Sequence, residues 1–96
     1  MGRLEDAEKN YQQAIKLRAN YAEAHYNLGN VMVKLGRIEE AQNSYGEAIA
    51  INPNLSDALI SRGQLLFDQK NFTLALKDFD LGYSKDSRTR ALWTLY

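Results

Sequence analysis

Few residues in this chain have side chains suited to catalysis. His25 is the single histidine, cysteine is absent, and Asp68, Asp78 and Asp80 are the carboxylates that invite comparison with an acid–base pair. General acid–base catalysis needs two titratable groups aimed at one reacting centre. In a helical pattern Asp78 and Asp80 point to different sides, so they read as ordinary helix charges. A lone histidine near a helix N-terminus reads as a packing residue rather than a ligand or a pH switch. One imidazole cannot build a histidine metal site, and carboxylates alone would hold a hard cation only weakly. The lack of cysteine excludes disulfide frameworks and thiolate sites. No nucleophile–base constellation, Gly-rich phosphate loop or metal cluster is visible. The sequence therefore predicts no catalytic residue, no metal site and no cofactor.

The bulk numbers narrow the partners. The 96 residues hold 12 basic and 12 acidic side chains, a formal net charge of +0. A neutral chain lacks the electrostatic footprint of a nucleic-acid binder and the polybasic segment that holds a protein to an anionic membrane. No apolar run approaches the roughly 20 residues of a membrane span. The start, Met1 to Asp6, has no apolar signal-peptide region. The expectation is a cytoplasmic protein with protein or peptide partners, without nucleic acid or membrane.

The apolar residues recur with a helical period. Leu4, Ala7, Tyr11, Ala14 and Ile15 form one stripe over residues 3–18. Ala24, Leu28, Val31, Met32 and Leu35 form the next, over 22–35, and Gly36 is placed to end it in a left-handed cap. Ile38, Ala41, Tyr45, Ala48 and Ile49 form a third, over 38–51, stopped by Pro53. Ser56-Asp57 reads as an N-cap pair opening a helix to about Gln69. A helix from Phe72 to Ser84 follows, then a further opening over Arg88 to Tyr96. Shifting 22–55 by thirty-four residues returns the same residue types. Gly2, Leu4, Ala7, Tyr11, Ala14 and Ile15 precede Gly36, Ile38, Ala41, Tyr45, Ala48 and Ile49, while Phe72, Ala75, Phe79, Gly82 and Tyr83 follow the last five. A period of this length belongs to stacked helical repeats that act as scaffolds.

With Ala22 as the first position of a unit, Leu28-Gly29, Ala41, Tyr45, Ala48 and Pro53 fall where the tetratricopeptide repeat family has its signature, and the chain resembles that family. In the next unit Gly63, Ala75 and Phe79 match, Gly82 replaces an alanine, and Arg62 replaces a leucine. The resemblance implies an all-α fold, a right-handed superhelix of antiparallel helix pairs in a single domain. Its parts would be a second helix at 1–21, complete repeats at 22–55 and 56–89, and the start of a further or capping helix at 90–96. The structural residues would be Gly29, Ala41, Tyr45, Ala48, Pro53, Arg62, Gly63, Ala75, Asp78 and Phe79. An unpaired guanidinium at a core position would be strongly disfavoured. Asp78, just before Phe79 on the facing helix, is the expected carboxylate partner of Arg62.

In this family the first helix of each pair lines a concave groove. The resemblance places Glu23, Tyr26, Asn27, Asn30, Val33, Lys34, Asp57, Ile60, Ser61, Gln64, Phe67 and Asp68 there. Asn27, Asn30 and Gln64 each combine a donor with an acceptor suited to a peptide backbone, and Tyr26, Ile60 and Phe67 offer apolar contact. A clamp for a C-terminal carboxylate is not expected, because Tyr26, Ser61, Ala91 and Leu95 occupy four of its five places and only Asn30 matches. An asparagine ladder is broken, since Asn27 fits it and Ser61 does not. The segment from Asn20 to Ala41 is similar to repeats of O-linked N-acetylglucosamine transferase and of many bacterial proteins.

The expected function is a non-catalytic scaffold binding an extended peptide or a partner helix. Two alternatives stand beside it. One is the substrate-positioning arm of a larger enzyme such as a glycosyltransferase. The other is end-to-end self-assembly into a homo-oligomer, in which Leu92 and Trp93 of one copy meet Leu4, Ala7 and Tyr11 of another.

Overall fold

The computed structural model describes residues 2–18 and 20–85, and among them the secondary structure is helical throughout. The helices are α1 (Gly2–Leu17), α2 (Ala22–Lys34), α3 (Ile38–Ile51), α4 (Ser56–Asp68) and α5 (Phe72–Lys85). They fall into two compact units, Met1–Asn52 and Pro53–Tyr96. The proposed segment Arg88 to Tyr96 lies outside the described residues.

In the first unit α2 packs against both α1 and α3. The buried residues Ala24, Leu28, Val31 and Met32 of α2 meet the buried Ala41, Tyr45 and Ala48 of α3. Small residues bring the backbones together and one ring fills the space they leave. At Gly29 an added Cβ would lie 2.6 Å from Cε1 of Tyr45, so the ring takes the room of the missing side chain. No residue of α1 is fully buried; its stripe of Leu4, Ala7, Tyr11, Ala14 and Ile15 is half-buried. Arg37 ties α1 to the start of α3, donating from Nη1 to Glu8 Oε2 at 2.6 Å, and the same nitrogen lies 3.7 Å from the Met32 sulfur.

In the second unit α4 and α5 form an antiparallel pair built the same way. Ala58, Leu59, Gly63 and Leu65 of α4 are buried with Ala75, Asp78 and Gly82 of α5.

Both helix pairs turn through one motif. Arg37 N–H bonds Met32 C=O at 2.8 Å and Gly36 N–H bonds Val33 C=O at 3.0 Å. Thirty-four residues on, Asn71 N–H bonds Leu66 C=O and Lys70 N–H bonds Phe67 C=O, each at 2.9 Å. These crossed bonds satisfy the last carbonyls of α2 and α4, with the residue after the cap left-handed. Gly36 has φ +79, which glycine adopts freely, whereas Lys70 holds φ 65 with a full side chain.

The stop after α3 follows the proline rule, since Asn52 before Pro53 is extended at φ −132. One boundary differs from the sequence reading. Leu55, not Ser56-Asp57, is the N-cap of α4, and it makes no side-chain cap bond. Ala58 and Leu59 N–H groups bond to Leu55 C=O at 3.1 and 3.3 Å, so the first turn closes one residue earlier and Ser56 is already helical.

Candidate functional site

Each unit gathers one set of the candidate residues on its first helix. On α2, Glu23 and Lys34 are exposed, while Tyr26, Asn27, Asn30 and Val33 are half-buried. On α4, Asp57, Gln64, Phe67 and Asp68 are exposed, while Ile60 and Ser61 are half-buried. Of the self-association candidates, Leu4, Ala7 and Tyr11 are half-buried, and Leu92 and Trp93 lie outside the described residues. Pro53 is exposed and Phe79 half-buried among the structural set.

The α2 face is organised from below by Tyr45. Its ring crosses Gly29, lies 5.8 Å from the Tyr26 ring, and donates its hydroxyl to Asn30 Oδ1. That bond uses the acceptor end of the amide and leaves Nδ2 with its N–H donors. A core aromatic thus orients a surface asparagine. Sequence reasoning placed Asn30 on the face but missed this bond. The signal was the pairing of Tyr45 with Asn30 in one unit and of Phe79 with Gln64 in the next.

Phe79 has no hydroxyl, and Gln64 is held differently. Its Nε2 donates to Asp68 Oδ1 at 3.0 Å, one turn along α4. Phe67, beside Asp68, meets Phe72 edge-on at a centroid distance of 5.2 Å, and the two rings are 51% and 55% exposed. A carboxylate and an open aromatic pair therefore stand together at the α4–α5 turn.

Arg62 and Asp78 form a fork. Nε donates to Oδ2 at 2.7 Å and Nη2 to Oδ1 at 2.9 Å. The Asp78 side chain is 6% exposed and that of Arg62 31%. The hydrogen bonds it donates to Asp78 hold Arg62 above its ordinary guanidinium range, against the opposing pull of burial. The pair replaces Leu28 and Ser44 of the first unit at the same repeat positions. Asp80, by contrast, is exposed, so Asp78 and Asp80 do not face one another.

A concavity lies away from these faces. Within the first unit, Gln12, Ile15, Lys16, His25, Leu28, Asn43, Ser44 and Glu47 line an open cleft of about 440 Å³. None of the residues expected in the groove borders it. His25 is half-buried there rather than enclosed in the core. Among the described residues no group of three or more histidine or carboxylate side chains is placed to hold a metal ion.

The comparisons agree with this architecture. Residues 1–36 match a family model described as TPR repeat, and residues 22–55 match one described as tetratricopeptide repeat. The two overlap and together run from residue 1 to residue 55, more than half of the sequence. The chain belongs to the tetratricopeptide repeat family. Among solved structures it is similar to the crystal structure of MamA, with 28% sequence identity and a TM-score of 0.85. That likeness covers 93% of this chain and 52% of MamA, so the chain spans about half the length of this neighbour. No curated protein matches the sequence. Tetratricopeptide repeats in general form protein-interaction scaffolds and are generally non-catalytic. No described helix is long and apolar enough to cross a membrane.

Proposed function

We propose that the exposed faces of α2 and α4 bind extended segments of a partner protein, and that the chain itself catalyses no reaction. The observation that supports this most is the Tyr45–Asn30 bond, because it fixes a surface amide in a ready orientation without hiding its donors. An extended strand presents unpaired carbonyls and amides, and oriented amides such as Asn30 and Gln64 can pair with them at low entropic cost. One turn from these amides along their own helices, Tyr26, Ile60 and Phe67 supply apolar area for side chains of the partner. Photo-crosslinking tests the reading. A benzophenone side chain at Tyr26, and separately one at Phe67, is each expected to capture a partner segment, mapped by mass spectrometry and displaced by a synthetic copy of it. Capture that occurs only from cleft positions such as Asn43 would overturn it.

Self-association has an observation of its own. The α1 stripe of Leu4, Ala7 and Tyr11 is only half-buried, and Leu76 on α5 is 69% exposed. Sedimentation that rises in mass with concentration, and is abolished by Tyr11→Ala, is the expected sign of it. A constant monomer mass at high concentration would exclude it.

A further inference from the structure

The exposed stripe of α4 has a chemical bias that the corresponding stripe of α2 lacks. Asp57, Ile60, Ser61, Gln64, Phe67 and Asp68 recur at intervals of three and four along α4, and so share one side of it. The two charges of this stripe are both carboxylates, one at each end. Arg62, the one basic residue of α4, is tied to Asp78 and does not offset them. On α2 the stripe holds Glu23 and Lys34, which cancel. Asp57 and Asp68 take part in none of the ion pairs formed among the described residues.

The Asp68 end is shaped to receive a cation. Gln64 donates to Oδ1 of Asp68 and thereby orients the carboxylate, whose Oδ2 is left to accept. The open rings of Phe67 and Phe72 lie at the same end of α4, where the chain turns into α5. A guanidinium or ammonium gains from a ring face and from a carboxylate together. We infer that the α4 face selects a basic peptide, an extended segment with two Arg or Lys residues flanking apolar ones. This rests on the reading of the α4 face as a binding face. Asp57 and Asp68 are eleven residues apart, about 16 Å along the helix. An extended chain advances roughly 3.3 Å per residue, so the two basic residues fall about five residues apart. The apolar side chains between them reach Ile60 and the Phe67 edge.

Fluorescence polarisation with the full chain tests the inference. The probe is a labelled peptide, Arg-Ala-Leu-Ala-Leu-Arg, with one twin carrying Gln for Arg and another carrying Glu. The arginine peptide is expected to bind most tightly and to weaken as salt is raised. Each of Asp57→Asn and Asp68→Asn is expected to weaken it about two- to five-fold, as exposed ion pairs do. Phe67→Ser, at an exposed position that leaves the fold intact, is expected to weaken all binding peptides. Equal affinity for the Arg and Gln peptides, or indifference to both asparagine variants while Phe67→Ser still abolishes binding, overturns the charge selectivity and leaves the face reading in place. Binding that ignores Phe67→Ser as well, or the absence of binding by all three peptides, overturns the face reading itself. Equal affinity for a peptide with its arginines adjacent overturns the spacing.

Discussion

The Arg62–Asp78 fork allows one perturbation to be worked through from its geometry. Breaking a buried pair by removing one member costs about 3–5 kcal/mol, whereas a fully exposed pair contributes about 0–1 kcal/mol. This pair lies between those limits and is lopsided, with the Asp78 side chain 6% exposed and that of Arg62 31%. Arg62→Leu leaves the buried carboxylate without its cation, so a cost near the lower end of the buried range, about 3 kcal/mol, is expected. Asp78→Ser leaves a guanidinium that can swing toward water, and about 1 kcal/mol is expected. The double variant Arg62→Leu/Asp78→Ser installs the residues that the first unit carries as Leu28 and Ser44. Replacing both partners of a pair together is often neutral, so it is expected within about 1 kcal/mol of the parent. Urea unfolding followed by far-ultraviolet circular dichroism measures all three, and the double-mutant cycle isolates the coupling. An Arg62→Leu variant no less stable than Asp78→Ser, or a double variant as unstable as the worse single one, would refute the reasoning. Because Arg62 is held above its ordinary range, its contribution is present throughout neutral pH and is lost only as pH rises through that raised value.

Other substitutions probe the remaining parts. Tyr45→Phe removes only the hydroxyl donated to Asn30 and should cost about 1 kcal/mol in thermal melts, while Tyr45→Ala should cost about 3–5 kcal/mol. Ala41→Leu adds volume at a position with 0% exposure, and overpacking there should cost about 1–3 kcal/mol in urea unfolding. Gly36→Ala forces a side chain into the left-handed region and should lose about 1–2 kcal/mol in the same experiment. At the matching turn Lys70→Gly relieves that strain but frees the unfolded chain, so a gain of up to about 1 kcal/mol is expected.

Much of the fold was legible because the letters that build it are constrained by packing. Ala41 and Ala48 are small where α2 and α3 meet, and their spacing from Tyr45 announced a helix with one buried side. Gly36 announced its own left-handed cap. Lys70 did not, because nothing in a lysine signals that conformation; only its place thirty-four residues after Gly36 does. The N-cap of α4 was misassigned because serine is a strong capping residue in isolation, while the turn after Pro53 delivers the Leu55 carbonyl first. Gly82, where the family has alanine, is explained by Ile60, since a Cβ there would lie 2.7 Å from Cγ1 of that side chain. The candidate faces were legible only as positions. The amide orientations depend on whether the facing ring carries a hydroxyl, a contact between helices that helical periodicity does not encode. The cleft beside His25 was invisible for the same reason, because it depends on how α1, α2 and α3 pack.

The most direct measurement of the central claim is amide chemical-shift mapping of the full, isotope-labelled chain with a partner segment bound. The account predicts the largest changes along the exposed faces of α2 and α4, at Tyr26, Asn30, Gln64 and Phe67. Largest changes around the cleft instead, at Gln12, Lys16, Asn43 and Glu47, would contradict it.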